Sequence, residues 1–216
     1  MIDFLFLDKG KCYCCKKDEI YKYHLCENCL SKLDYMDSKY DLCGNICYSI
    51  YFYDDFMKRM IWDYKFNRNT SLYIVFSEMI YGFIIENNLR NFEYILGSPS
   101  SKQTIKNRGF DHIRLIVEDI AKKLNITYLD DFKKVKNTKA QHTLDRIERK
   151  KNLSGAFCID KDLSGMKIIL IDDLITTGNT CLEIIKELKD KGASEVVALS
   201  LATERGKRRW KRDDID

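Results

Sequence analysis

The chain has 216 residues, which is enough for one sizeable core, or for one core with a small appendage. Hydrophobic residues make up 45% and charged residues 32% of the chain, and no apolar run reaches the ~18 residues of a membrane span, so composition excludes an integral membrane protein and is typical of a soluble globular one. The formal net charge of +4 is too small to establish a polyanionic partner.

The N-terminal stretch MIDFLFLDKG has a short apolar patch, but it lacks the basic n-region of a signal peptide and acidic residues flank it. We therefore expect a cytoplasmic protein. The nine cysteines are an odd number, and in a reducing compartment they indicate metal ligands and free thiols rather than a disulfide framework.

Two C-x₂-C pairs lie near the N-terminus, Cys12 with Cys15 and Cys26 with Cys29. Thiolate pairs on two knuckles provide the tetrahedral set that Zn²⁺ prefers. We predict a structural zinc module over residues 1–49, because a bound metal supplies folding energy to a segment too small for its own core. Cys14 could replace a neighbouring ligand, and unmetallated thiols are the alternative interpretation.

Hydrophobic periodicity predicts alternating helices and strands from Tyr53 to Thr203. Helices are expected in YDDFMKRMIWDYKF, in SLYIVFSEMIYGFIIENNL, in FDHIRLIVEDIAKKL, and from about Asn179 to Asp190. Strands are expected in FEYILGS, ITYL, GAFCI, KIILIDDL and SEVVALSLAT. This alternation predicts an α/β fold with a mostly parallel sheet flanked by helices.

The strand IILI is followed by Asp172 and Asp173, and ligands of open α/β sheets bind beyond the carboxyl ends of the strands. A turn then leads into a helix N-terminus, whose unpaired N–H groups favour an anion. The residues of this turn are Thr176, Thr177, Gly178, Asn179 and Thr180.

Hydroxyl and amide donors in the turn suit a phosphate monoester, whereas the two carboxylates suit vicinal hydroxyls. A sugar with a 5-phosphate and free 2- and 3-hydroxyls satisfies both halves of the motif. Two simpler interpretations remain: Thr176 is an ordinary helix N-cap, or the aspartates bind Mg²⁺ with no sugar.

The stretch KIILIDDLITTGNT resembles the phosphoribosyl pyrophosphate (PRPP) motif of type I phosphoribosyltransferases. NRGFDHI is similar to the RGFNQ element of the competence protein F family, and TKAQHTLDRIERKKNLSGAF is similar to its T-x-x-Q-x-x-L-x-R-x-E-R-x-x-N-x-x-G-A-F pattern. YDDFMKRMIWDYKF resembles the helix that precedes the transferase core. The resemblance extends from about Cys12 to Thr203.

This resemblance implies a type I phosphoribosyltransferase-like domain within residues 50–216, preceded by a helical lead-in and followed by a basic tail. Asp172 and Asp173 would hold the ribose hydroxyls and stabilise a cationic ribose, the TTGNT turn would bind the 5-phosphate, and Mg²⁺ would accompany PRPP. The loop after the first core strand would grip the pyrophosphate. Its residues are Ser98, Ser100, Ser101 and Lys102.

The chain departs from the family at three positions. It reads GSPSS where the family usually reads PVPL, and Asp111 replaces the asparagine of RGFN. Thr176 stands where purine salvage enzymes commonly place an aspartate that serves as a general base. The family often carries a further cysteine pair near Cys43 and Cys47, which makes these two residues alternative metal ligands.

The resemblance also implies a role in natural transformation, in which incoming single-stranded DNA is handled in the cytoplasm alongside a DNA-uptake helicase or other transformation proteins. Two basic clusters are candidate DNA contacts, although a solvated face or a frayed tail explains them equally well. Their residues are Lys133, Lys134, Lys136, Lys139, Arg208, Arg209 and Lys211.

Three functions follow from these expectations. The first is a PRPP-binding protein of the DNA-uptake machinery. The second is an active phosphoribosyltransferase that joins ribose phosphate to a nucleobase or an amine, with the basic segment 133–151 closing over the site. The third is a PRPP-sensing regulator whose ligand changes its affinity for nucleic acid or for a partner.

Overall fold

A computed structural model describes residues 8–67, 69–135 and 155–204. The α-helices are α1 (Glu27–Leu30), α2 (Asp55–Phe66), α3 (Leu72–Glu86), α4 (Lys102–Arg108), α5 (His112–Leu124) and α6 (Asn179–Asp190). The strands are β1 (Tyr35–Leu42), β2 (Asn45–Phe52), β3 (Tyr94–Gly97), β4 (Thr127–Tyr128), β5 (Lys133–Lys134), β6 (Phe157–Cys158), β7 (Lys167–Ile175) and β8 (Glu195–Thr203). In these ranges no helix has both the length and the apolar character that crossing a membrane requires.

Six of these strands form one sheet in the order β1-β2-β8-β7-β3-β4. All neighbouring pairs are parallel except β1 and β2, which are antiparallel. Strands β5 and β6 form a separate antiparallel pair. The predicted α/β class with a mostly parallel sheet is therefore confirmed.

The hairpin formed by β1 and β2 belongs to the main sheet, although most of it lies within residues 1–49, which were predicted to form the zinc module. Cys43 and Gly44 form its turn with φ angles of 55° and 82°, as a two-residue hairpin with two left-handed positions requires. Strand β2 buries Ile50 and pairs along its length with β8. The expected division at residue 49 thus falls inside a sheet strand, because the apolar residues of β2 complete the core of the larger body.

The sheet is covered by helices on both faces. In β7, Ile169 and Ile171 pack in the core beneath α2, α3 and α5, whereas Ile168 and Leu170 pack in the core beneath α6. Because side chains alternate along a strand, the next two residues, Asp172 and Asp173, lie on opposite faces of the sheet. Strand β7 continues through Ile175, beyond the predicted end of IILI.

Helix α2 is the predicted lead-in helix. The Asp54 side chain caps its N-terminus by accepting a hydrogen bond from the Met57 amide at 2.8 Å. Its buried face consists of Met57, Met60, Ile61 and Tyr64, at helical spacing. This orientation places Lys65 beside the sheet and leaves Trp62 and Phe66 on the outer surface.

Candidate functional site

Asp173 lies beside the Lys65 ammonium group and the His112 imidazole on the face of the sheet that α2 and α5 cover. Its carboxylate forms an ion pair with Lys65, and its Oδ1 lies 3.7 Å from Nε2 of His112. Burial acts to raise the pKa of Asp173, but Lys65 and His112 outweigh it and hold that pKa well below its usual range. Asp173 is therefore a carboxylate at neutral pH and accepts hydrogen bonds.

Asp172 has the opposite environment on the face that α6 covers. Its Oδ1 accepts the backbone N–H of Asp173 at 2.9 Å, and its Oδ2 lies 4.0 Å from Sγ of Cys181. Burial, followed by the negative charge of Asp173, raises the pKa of Asp172 well above its usual range. The two carboxyl groups therefore have pKa values shifted in opposite directions, and Asp172 is the one that retains its proton to the higher pH.

The cluster around Asp173 was not predicted from the sequence. Arg108, the last residue of α4, contacts Nδ1 of His112 through Nη1, and the Tyr64 hydroxyl donates to the His112 carbonyl at 2.6 Å. Burial lowers the pKa values of both His112 and Arg108. Two features of the sequence pointed to this cluster. Lys65 lies at the end of an amphipathic helix, and Arg108 lies within the NRGFDHI motif.

The predicted phosphate-binding turn leads into α6 through Gly178, which has a φ of 74° and makes no side-chain cap hydrogen bond. Gly178 and not Thr176 is the N-cap residue, so the simpler interpretation of Thr176 is wrong. An α-helix leaves its first amide groups without intrahelical partners, and they are available to an anion when no side chain caps them. A Cβ at Gly178 would lie 2.6 Å from Cδ1 of Leu42, which explains the glycine.

The predicted pyrophosphate loop follows β3 and starts beside the aspartates. The Ser98 amide donates to the Ile171 carbonyl at 2.8 Å. Ser101 Oγ accepts the Thr104 amide at 3.1 Å and caps α4, so this hydroxyl has a structural role. Ser98, Ser100 and Lys102 line a cavity of about 730 Å³, which Ser101 does not line.

Basic and acidic side chains also line this cavity. Lys133 and Lys134 of β5 line it together with Arg114, Asp111 and Tyr128. The predicted pyrophosphate loop and the first basic pair therefore share one cavity, whose lining does not include the PRPP-motif residues. The remaining predicted DNA contacts lie outside the described residues: Lys136, Lys139, Arg208, Arg209 and Lys211.

Asp111, the acidic departure from the family motif, is the N-cap of α5. Its Oδ1 accepts the amide of Arg114 at 3.3 Å. An aspartate at this position satisfies one of the unpaired amides of the helix and interacts favourably with the helix dipole. The cap fixes the start of α5, and His112 is the next residue.

The four cysteines predicted from their spacing form one cluster near the N-terminus. Their Sγ atoms all lie within 4.8 Å of one another, and those of Cys15 and Cys26 are 3.8 Å apart. Burial raises the pKa values of Cys26 and Cys29, so a cation is needed to hold them as thiolates at neutral pH. A tetrahedral Zn²⁺ fits this donor set, which consists of Cys12, Cys15, Cys26 and Cys29.

The alternative cysteines are not part of this cluster. Cys14 adjoins it in sequence but does not contribute to the group of four. Cys43 and Cys47 lie in the hairpin of β1 and β2. The module packs against the start of α3, where Lys16 Nζ donates to Ser71 Oγ at 3.0 Å.

Comparison with known proteins finds similarity to a phosphoribosyl transferase domain and to proteins named for competence and DNA utilization. A model of the phosphoribosyl transferase domain matches residues 114–216. The chain is 27% identical over 210 residues to competence protein F of Haemophilus influenzae, a match that covers 89% of this chain and 90% of that protein. It is 34% identical over 92 residues to the DNA utilization protein YhgH of Escherichia coli, covering 41% of this chain and 40% of that protein.

The solved structures that resemble the chain include adenine phosphoribosyltransferase from Saccharomyces cerevisiae. The two share a TM-score of 0.45 and 15% sequence identity. The superposition covers 82% of this chain and 86% of the yeast protein.

Proposed function

Because this chain is a phosphoribosyltransferase-like relative of competence protein F, we propose that it binds PRPP in the cytoplasm as part of the DNA-uptake machinery. One observation carries the proposal. The carboxyl ends of β3 and β7 carry a pair of carboxyl groups with oppositely shifted pKa values, a helix start without a side-chain cap, and the loop after β3.

The 5-phosphate is assigned to the start of α6. Gly178 brings backbone amides close to the ligand, and the hydroxyls of Thr176, Thr177 and Thr180 supply further donors. These side chains are partly exposed, so a ligand can reach them. An anion there is stabilised by both the amides and the helix dipole.

The ribose is assigned to Asp172 and Asp173, where β3 has already ended at Gly97 and no longer covers that side of β7. The carboxylate of Asp173 accepts a hydrogen bond from one ribose hydroxyl, and Asp172 contacts the other. If the ring develops positive charge as pyrophosphate leaves, the negative charge of Asp173 stabilises it.

The pyrophosphate is assigned to Ser98, Ser100 and Lys102. Mg²⁺ enters with PRPP and offsets the charge of its pyrophosphate group. Lys65 forms an ion pair with Asp173, so its ammonium group lies close to the proposed position of the ribose hydroxyl. The same lysine is therefore available to the phosphorylated ligand.

Calorimetry with PRPP and Mg²⁺ tests the assignment. The double variant Asp172→Asn with Asp173→Asn should lose detectable binding while keeping the fold, as judged by circular dichroism. Asp190→Asn, at the exposed C-terminal end of α6, is a matched control and should bind as the wild type does. Unchanged affinity in the double variant would refute the ribose assignment.

Handling of single-stranded DNA is the second part of the proposal. It is supported by the names of the relatives, competence protein F and DNA utilization protein, and by the basic pair Lys133 and Lys134. Transformation proteins such as a DNA-uptake helicase are the expected partners. Fluorescence anisotropy with a labelled single strand, and with a duplex of equal length, tests this part directly.

Catalytic turnover is a second candidate function, favoured by the cavity of about 730 Å³ beside the pyrophosphate loop. Its volume is in the range of small-molecule sites, and Asp111 and Asp130 supply carboxylates in its wall. Release of pyrophosphate from PRPP on addition of a nucleobase or an amine would establish a transferase. A PRPP-dependent change in single-strand affinity, without pyrophosphate release, would instead establish the regulator.

A further inference from the structure

Helix α2 presents two large aromatic side chains to solvent on its outer face. Trp62 is 56% exposed and Phe66 is 54% exposed. Their ring centroids are 4.4 Å apart with an interplanar angle of 45°, so the two rings form one continuous patch. Adjacent exposed aromatics of this size indicate an interaction surface, because isolated packing of the helix needs only its opposite face.

Arginines border this patch on both sides. The Arg59 guanidinium lies 5.0 Å from the ring centroid of Phe56, and Arg59 itself is about one helical turn before Trp62. The Arg108 guanidinium lies 5.5 Å from the ring centroid of Phe66 at the other end. The nearby carboxylate of Asp63 accepts a hydrogen bond from Asn67 Nδ2 at 2.7 Å. We call this surface of Phe56, Arg59, Trp62, Phe66 and Arg108 the α2 platform.

We propose that the α2 platform is a stacking site for the bases of single-stranded nucleic acid. Unpaired bases offer flat faces that stack on aromatic rings, and their phosphates complement the guanidinium groups at either end. Duplex nucleic acid keeps its base faces inside the helix and cannot use the rings in this way. The inference rests on the proposed handling of single strands and assigns that contact to a surface outside the predicted basic clusters.

The α2 platform is connected to the PRPP site through Arg108. The same guanidinium that lies over Phe66 contacts Nδ1 of His112, and His112 faces Asp173. Lys65, next to Phe66 in the sequence, pairs with Asp173. A strand on the platform therefore adjoins the groups that hold the ribose, which gives the two ligands a physical route by which each can affect the other.

Tryptophan fluorescence provides a direct test, because the chain has two tryptophans. Trp210→Phe leaves Trp62 as the only one. Titration of this variant with an oligothymidylate should quench its emission in proportion to binding measured by anisotropy. If the oligomer binds and the emission of Trp62 does not change, the platform assignment is overturned while single-strand handling stands.

Affinity measurements on substituted proteins provide the second arm. Trp62→Ala should weaken oligothymidylate binding about 5- to 100-fold, as expected for the loss of one stacked base, and Trp62→Phe should recover most of it. Tyr21→Ala, which removes an aromatic side chain that is 67% exposed in the cysteine-rich module, is the control and should bind normally.

The remaining outcomes are also decisive. Equal binding by the Trp62→Ala protein and the wild type would place the nucleic acid elsewhere and overturn the inference alone. A wild-type protein that binds no oligothymidylate at all would overturn the inference together with the proposed handling of single strands. If the protein binds no oligothymidylate but self-associates in sedimentation experiments in a way that depends on Trp62, the inference is overturned. The patch would then be an interface between copies of the chain.

Discussion

Lys65, in the last turn of α2, forms an ion pair with Asp173 near the end of β7. The two side chains are only 19% and 12% exposed. The pair joins the lead-in helix to the predicted PRPP motif, so the charge of Asp173 depends on the packing of α2. The helix is thereby part of the proposed site and not merely a support for it.

Lys65→Met should lower the free energy of unfolding by roughly 3 kcal/mol at pH 7, because it leaves a buried carboxylate without its ammonium partner. Lys167→Met is the matched control. It removes a pair with Glu195 in which both side chains are 41% exposed. Such surface pairs contribute about 0–1 kcal/mol. Urea unfolding of the two variants measures the difference.

The effect of Lys65→Met should also depend on pH. The pKa of Asp173 in the folded protein is depressed, so its stabilising contribution is present above the unfolded-state pKa and is lost as the pH falls through the folded-state pKa. The difference between wild type and variant should therefore shrink on acidification below about pH 4. A difference that stays constant from pH 7 to pH 3 would contradict the assigned ion pair.

Gly178→Ala should destabilise the protein more than Gly44→Ala. Both glycines have positive φ angles, 74° and 82°, so each alanine adopts a left-handed conformation that costs about 1–2 kcal/mol. Only at residue 178 would the new Cβ meet a neighbour, Leu42 Cδ1 at 2.6 Å, which adds about 1–3 kcal/mol. Thermal unfolding compares the two, and equal losses would argue against the close packing of the turn.

Cys26→Ser should release the zinc and destabilise the N-terminal module, because Cys26 is one of the four clustered thiols. Cys14→Ser should retain one zinc per chain, since Cys14 is outside the cluster. A chromophoric chelator assay on denatured protein counts the metal in each variant. Absence of zinc in the wild type, or equal loss in both variants, would remove the basis for the module.

Single-strand affinity should fall steeply with salt if Lys133 and Lys134 contact phosphates. Each neutralised phosphate contributes about 0.7 to the slope of the logarithm of affinity against the logarithm of salt concentration on single strands. Lys133→Gln with Lys134→Gln should therefore reduce the slope by roughly 1.4. Lys189→Gln, at the far end of α6, is the control. A flat salt response in the wild type would argue against both lysines.

The long elements of the fold could be predicted from the sequence because their patterns are strong. Helices α2, α3, α5 and α6 repeat apolar residues at helical spacing, and β7 and β8 are nearly continuous apolar runs, as strands buried on both faces require. The carboxyl pair and the turn of the predicted PRPP motif could be proposed for the same reason, since their residue types and their position near the end of a strand are both local features.

Features that depend on distant contacts could not be predicted in this way. The β1–β2 hairpin has alternating and aromatic residues, but its cysteines favoured a metal module, and only its pairing with β8 assigns it to the sheet. The neighbours of Asp173 come from α2 and α5, and no spacing in the sequence relates Lys65 or His112 to β7. The capping roles of Ser101 and Asp111 likewise depend on where α4 and α5 begin.

A crystal structure of the protein with PRPP and Mg²⁺ tests the central claim most directly. We predict the 5-phosphate at the amides of residues 178–180, the ribose hydroxyls at Asp172 and Asp173, and the Lys65 ammonium displaced from Asp173. An ordered PRPP molecule bound elsewhere, or a site that stays empty at saturating ligand, would contradict the account.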